Sequence, residues 1–340
     1  MQAITKKRLG YVAIGAAAVW AGRAIYRQLS QYQFLDRTVL ITGGSRGLGL
    51  VLARQLADCG ARLILCARDA DELERVKAEF AARGQGVLTI VCDVMQRDQV
   101  YAMVDEITQK GVEIDVVINN AGVIQGGLME TMTLEDYEEA MKTHFFGPLF
   151  VNEAVLPGMR RRGEGRIVNI SSIGGRISVP HLLPYSASKF ALVGYSLGLR
   201  SELAKDGIVV TTVCPGLMRT GSPRNAFFKG PHAAEYAGVK ISDSLPVLSA
   251  NAERAASQIL DACRYGDAFL IVGAPAKLAD KLYSVLPGLG ADAFALVNRL
   301  LPGPGGIGRQ RARGYESESK WSQSPLTTLT QQAAVSNNEM

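Results

Sequence analysis

From Asp36 onward, short apolar runs alternate with longer stretches that carry one polar face, and this rhythm leaves few folds open to the chain. Seven runs read as strands, at residues 38–42, 62–66, 87–91, 116–118, 166–171, 208–214 and 268–272. Most are rich in Val, Ile and Leu with little polar alternation, the pattern of strands buried on both faces. Between them, Leu48, Leu52 and Leu56 fall at helical spacing, and residues 69–83 form a polar-faced helix with Asp69 as its cap. Further helices are expected over 95–110, over 133–159 with a boundary or kink at Gly147 and Pro148, and over 251–265. Strands joined by helices run parallel, so the fold class is α/β, a doubly wound seven-stranded parallel sheet in a single domain.

Around that domain the chain divides into residues 1–34, 35–273, 274–301 and 302–340. In the first part, Lys6, Lys7 and Arg8 precede an uncharged stretch from Leu9 to Gly22, and Arg23 and Arg27 follow. As a helix those residues span only about 21 Å against a hydrocarbon core of roughly 30 Å. The preferred reading is an N-terminal membrane anchor, with Arg23 snorkelling; a cleaved signal peptide and a helix packed on the protein are the alternatives. Residues 217–250 mix Gly, Pro and Ser with apolar residues and read as a mobile lid. Residues 274–301 form a helical extension, packed on the main domain or else facing a membrane or gating substrate. The Gly, Pro, Ser, Thr and Gln of 302–340 read as a disordered tail.

Of 340 residues, 47% are hydrophobic and 20% charged, which excludes wholesale disorder. The net charge of +5 is dispersed over Lys6–Arg8, Arg160–Arg162 and Arg309–Arg313 without interleaved aromatics, so no nucleic-acid partner is indicated. Five cysteines without C-x-x-C spacing indicate neither a disulfide framework nor a metal site, and reducing, cytoplasmic surroundings fit the catalytic part.

Three local patterns carry chemistry. Thr42 leads into Gly43, Gly44, Ser45, Arg46, Gly47, Leu48 and Gly49 between a strand and a helix, which gathers backbone N–H groups and a positive helix end where a pyrophosphate binds. The second strand ends in Ala67 and Arg68, where an NAD-specific site has a carboxylate for the ribose; Arg68 and Arg46 suit a 2′-phosphate, so NADP(H) is preferred over NAD(H). Tyr185 and Lys189 lie one helical turn apart, so a cation stands beside a phenol.

Together with Asn119-Asn120-Ala121-Gly122, Ser172 and Pro215-Gly216, these motifs occur in the order and spacing of the short-chain dehydrogenase/reductase family, which residues 35–272 resemble. The resemblance implies a Rossmann-type fold and hydride transfer between a nicotinamide and a carbonyl or alcohol carbon. Tyr185 is then the proton donor or acceptor and Ser172, thirteen residues before it, orients the same oxygen. Lys189 lowers the tyrosine pKa and binds the nicotinamide ribose. Gly43, Ser45, Arg46, Gly47, Leu48, Gly49, Arg68, Asp93, Val94, Asn120, Lys189, Pro215, Gly216 and Thr220 form the implied cofactor site. The family has an asparagine where this chain has His144, so the imidazole is expected to join the proton relay behind Lys189.

The leading function is an NADP(H)-dependent oxidoreductase acting on a lipophilic substrate (keto-lipid, acyl or steroid-like), membrane-associated through the N-terminal segment, as a homodimer or homotetramer. A catalytically weak, NADP(H)-sensing membrane scaffold is the alternative.

Overall fold

The structure, a computed structural model, describes Gly22 and residues 31–340. Apart from Gly22, the expected N-terminal anchor lies outside the described residues. The main sheet consists of β1 (Thr38–Thr42), β2 (Arg62–Ala67), β3 (Val87–Val91), β4 (Val116–Asn119), β5 (Gly165–Ile170), β6 (Ile208–Pro215) and β7 (Phe269–Val272). All are parallel, in the order β7-β6-β5-β4-β1-β2-β3. Chain direction across the sheet reverses between β1 and β4, and a crevice opens at the carboxyl ends there.

On the two faces lie α1 (Gly47–Asp58), α2 (Ala70–Ala82), α3 (Arg97–Gln109), α4 (Leu134–Met141), α5 (Gly147–Arg162), α6 (Leu183–Leu203), α7 (His232–Ser244) and α8 (Ala252–Tyr265). Alternate residues of each strand feed opposite cores. Val39, Ile41, Leu63 and Leu65 pack with Leu52 and Leu56 of α1 and Ile259 of α8, whereas Leu40 and Ile64 pack with Met103 of α3 and Val155 of α5. Val39, Leu40 and Ile41 are fully buried, contributing about 6 kcal/mol together before the entropy of ordering them. β1 is thus fixed from both sides, and the turn at its end inherits that rigidity.

The helix over 133–159 has its expected boundary at Gly147, where α5 begins, and a π turn over Lys142–Phe146 precedes it. The helical path continues through Pro148, which has no N–H to give the ladder, and the ladder widens in the turn just before it. Two expectations differ from the structure. The segment read as a lid is built: Phe227–Phe228 pairs with Gln125–Gly126 and with Ala312–Arg313, and α7 buries Tyr236 against Phe228. Residues 302–340 are likewise ordered, with a strand at Ala312–Arg313 and a helix, α11 (Thr328–Ser336), that follows α9 (Ala274–Val285) and α10 (Pro287–Asn298). Composition suggested disorder because the tail has few apolar residues; its order comes from polar contacts such as Ser244 Oγ donating to Thr330 Oγ1 at 2.6 Å. In the extension, α9 is tied to the domain by Arg176 and Asp280 at 2.8 Å, while Leu278, Leu282, Leu289, Leu296 and Leu300 stay exposed. No helix among the described residues is long and apolar enough to cross a membrane.

Candidate active site

Beyond Thr42 the chain turns through Gly43 (φ 64°) and Gly47 (φ 56°), a backbone that side chains resist. A Cβ on Gly49 would lie 2.1 Å from the Gly43 carbonyl oxygen, so α1 can start this close to the strand only with glycine there. The Asn120 amide donates to the carbonyls of Thr42 (3.1 Å) and Gly43 (3.0 Å), while Thr42 Oγ1 accepts from the N–H groups of Asn120 and Ala121. The adjacent Asn119 points the other way, into a buried polar layer. Its amide donates to Asn152 and Asn169 at 2.9 Å, and Asn169 in turn donates to Ser196. One asparagine thus fastens two loops, and the other fastens β4 to β5, α5 and α6.

Ser172 follows β5, and its Oγ accepts from the Gly174 N–H at 3.0 Å and lies near the Tyr185 phenol, whose pKa it lowers. α6 opens with Pro184 in its first turn and presents Tyr185 and Lys189 one turn apart. Lys189 Nζ donates to the Ile170 carbonyl at 2.9 Å and sits 5.7 Å from the Tyr185 ring centre. Burial pushes Lys189 down to about 7. Burial also pushes Tyr185 up to about 12, against a lowering from the Ser172 hydrogen bond, with Asp243 of α7 adding to the rise. The expected depression of the tyrosine by the lysine is not what these side chains produce on their own: two desolvated groups move apart, the phenol staying protonated.

His144 occupies the π turn and is fully buried, its ring edge-on to Tyr185 at 5.3 Å. Nε2 accepts from the Val123 N–H at 3.1 Å, which leaves the proton on Nδ1, 2.7 Å from Ser188 Oγ. Ser188 Oγ donates in turn to the Tyr185 carbonyl at 2.8 Å. Burial, then the Lys189 charge, hold the imidazole well below its usual pKa. Through hydrogen bonds at both nitrogens the ring links the Val123 loop to the α6 turn that carries Tyr185. A π turn widens the helix locally, and such turns recur at functional sites.

These residues line one cleft of about 500 Å³, together with Gly43, Ser45, Arg46, Gly47, Leu48, Arg68, Asp93, Val94, Asn120, Pro215, Gly216 and Thr220. Of the expected cofactor residues only Gly49 does not face it. Several lining groups carried no pattern in the sequence. Glu72 of α2 accepts from Ser45 Oγ and Arg46 at 2.6 Å each, so Arg46 is not a free cation. Arg311 and Arg313 flank the Phe227 ring at 4.0 and 4.1 Å. Burial lowers the Arg313 pKa, and the charges of Arg46, Arg68 and Arg311 lower it further, marking a shared cationic region. Glu339 and Asn225 also line the cleft, and Arg313 donates to the Asn225 carbonyl at 3.1 Å. Neither Glu339 nor Asn225 belongs to a periodic or spaced motif, so only the three-dimensional contacts reveal them.

Residues 37–228 match the family described as short chain dehydrogenase. The chain belongs to that family. This short chain dehydrogenase is 37% identical over 210 residues to dehydrogenase/reductase SDR family member 7B of Danio rerio, covering 60% of this chain and 68% of the relative. It is 35% identical over 181 residues to gluconate 5-dehydrogenase of Gluconobacter oxydans, covering 53% and 71%. Its fold is similar, with TM-score 0.65 and 25% identity over 74% of this chain and 99% of the other, to a gluconate 5-dehydrogenase from Burkholderia cenocepacia in complex with NADP and tartrate. The chain is therefore an oxidoreductase with a Rossmann-like sheet whose cleft is built for a nicotinamide dinucleotide. The positive-φ glycine turn, its N–H groups and the surrounding arginines fit that group.

Proposed function

We propose that this enzyme uses NADP(H) to reduce the carbonyl of a lipophilic substrate, with Tyr185 as the general acid. The nicotinamide supplies the hydride; what the chain supplies is a positioned proton. The observation that carries the reading is geometric: Tyr185, Ser172 and Lys189 line one cleft with the glycine turn. Burial keeps the phenol protonated at neutral pH, and a cation beside it would bring it down towards the range in which it donates to a developing alkoxide. Ser172 Oγ orients the same oxygen, and Lys189, buried and sharing its proton near neutrality, is set to bind ribose hydroxyls and to follow the charge on the tyrosine. The oxidised nicotinamide adds a cation that would favour the phenolate in the reverse direction. His144 acts by position, holding the turn that carries Tyr185.

Preference for NADP(H) is supported by Arg68, exposed at the end of β2, and by the cationic region it shares with Arg311 and Arg313. A lipophilic substrate is supported by a second cavity of about 340 Å³ between the α6 entry and α10, where Leu128, Met129, Pro180, Leu183 and Phe294 stand beside Glu130, His181 and Asn298. The exposed leucines of α9 and α10 and the apolar segment 9–22 support membrane association, with the catalytic domain cytoplasmic. Assembly as a homodimer or homotetramer belongs to the same reading.

The test is NADPH oxidation by detergent-extracted protein against aliphatic and cyclic ketones, comparing wild type with Tyr185→Phe. The proposal expects turnover with apolar ketones and its loss by about 10²–10⁴ in the variant. Equal and negligible rates for both would instead support the alternative, a weak NADP(H)-sensing scaffold.

A further inference from the structure

Segment 302–340 does not merely lie on the domain; Glu339 lines the dinucleotide cleft, and Asn337 and Asn338 bond to the glycine turn beside it. The Gly47 N–H, at the head of α1, donates to the Asn337 carbonyl at 2.9 Å. Arg46 Nε lies 3.4 Å from the Glu339 carboxylate, which also accepts from Asn225 Nδ2 at 2.6 Å. Asn338 donates to the Ser45 carbonyl at 2.9 Å and accepts from Arg75 at 2.8 Å, and Asn337 donates to the Thr220 carbonyl at 3.3 Å. Glu339 is only 4% exposed, and a Cβ on Gly47 would fall 2.6 Å from its carboxylate oxygen. The N–H of a helix's first turn and a guanidinium beside it are the donors a pyrophosphate would use. Here the Asn337 carbonyl takes the N–H, and the Glu339 carboxylate pairs with Arg46 beside Glu72.

We propose that residues 337–339 are an autoinhibitory plug that occupies the pyrophosphate subsite of the cofactor cleft and must leave before the dinucleotide binds. This rests on dinucleotide binding at the glycine turn, and goes beyond it. The rest of the segment is anchored apart from the plug, by the pairing of Ala312–Arg313 with Phe227–Phe228 and by Thr330 on Ser244. Release therefore requires residues 337–339, beyond α11, to move. Competition is intramolecular, so the docked fraction sets the apparent affinity: nine-tenths docked weakens binding roughly tenfold.

Docking is also coupled to protons. Burial raises the Glu339 carboxyl to about 7, with Arg46 and the Asn225 hydrogen bond opposing and Glu72 reinforcing the rise. A released carboxyl returns to the ordinary 4.5, so docking takes up a proton and weakens as pH rises. Between pH 6 and pH 8 the docking equilibrium falls roughly tenfold.

The experiment compares the 340-residue chain, a chain ending at Ser336, and the full-length variant Asn338→Val. Valine tolerates neither the φ of 56° at that position nor the loss of the hydrogen bond to Ser45, and it leaves chain length and cleft residues intact. NADPH and NADH are each titrated calorimetrically at pH 6 and pH 8. At pH 6 both variants should bind the preferred dinucleotide roughly tenfold more tightly than the full chain, and the gap should narrow at pH 8. A synthetic peptide of residues 328–340 should compete with the dinucleotide on the shortened chain. One shared Kd for all three proteins, or weaker binding by the variants, overturns the plug. If no form binds either dinucleotide, the cofactor reading fails and the plug falls with it.

Discussion

Replacing Lys189 by methionine should stabilise the fold at neutral pH while removing activity. The lysine is buried with no carboxylate beside it, and its folded pKa of about 7 lies far below the model-compound value of 10.5. Between those values the unfolded chain binds more protons than the folded one, so wild-type stability rises with pH through that window. At pH 7 the penalty is roughly 4 kcal/mol, and at pH 10 about 1 kcal/mol. Methionine keeps most of the apolar stem and loses only the hydrogen bond to the Ile170 carbonyl, worth about 1 kcal/mol. The variant should therefore be about 3 kcal/mol more stable than wild type at pH 7 and no more stable at pH 10. Asp243 and Glu339 titrate in both proteins and drop out of the difference. Urea unfolding of the two proteins at pH 7 and pH 10 makes the measurement. A stability difference that stays constant across this range refutes the claim that the lysine is held as a strained cation.

Other substitutions separate the remaining roles. His144→Ala leaves the Val123 N–H and Ser188 Oγ without the ring, so unfolding free energy should fall by about 2–4 kcal/mol while the pH–rate profile keeps its shape; a displaced pH midpoint would restore the ring to the relay. Arg68→Ala should raise KM for NADPH by roughly tenfold with little change for NADH, and equal changes would remove Arg68 from 2′-phosphate recognition. Phe294→Ala should raise KM for long-chain ketones and spare small ones, since the ring lines only the outer cavity; unchanged kinetics for the long substrates would take that cavity out of the substrate path. Gly49→Ala drives a Cβ against the Gly43 carbonyl and should abolish dinucleotide binding in calorimetry; retained affinity would show the turn to be pliable.

The strands were legible because each is a short apolar run with a single way to be buried. Residues 38–42 and 87–91 have the bounds observed, and the others shift by a residue or so. Ser172, Tyr185 and Lys189 were legible because their spacing is set by one strand end and one helix turn. What stayed hidden depends on contacts between residues far apart in sequence. Glu72 looks like any helix-face glutamate until Arg46 and Ser45 are folded against it. Asn337 and Glu339 carry no apolar signal, and their place is set by partners at Gly47 and Asn225. His144 marked a departure from the family pattern, yet only the folded chain shows what it links, the Val123 loop and Ser188.

The pairing of β1 with β4 also has a kinetic meaning. β1 to β3 can pair among themselves, and so can β4 to β7, but Thr42 meets Asn119 only when the two halves join. Joining them closes a long loop, and such late, non-local contacts slow folding. Neither half contains the cleft, because the Asn120 amide closes it by reaching across that seam to Thr42 and Gly43. In refolding, dinucleotide binding should thus lag the return of helical circular dichroism, serving as a clock for the moment the half-sheets meet.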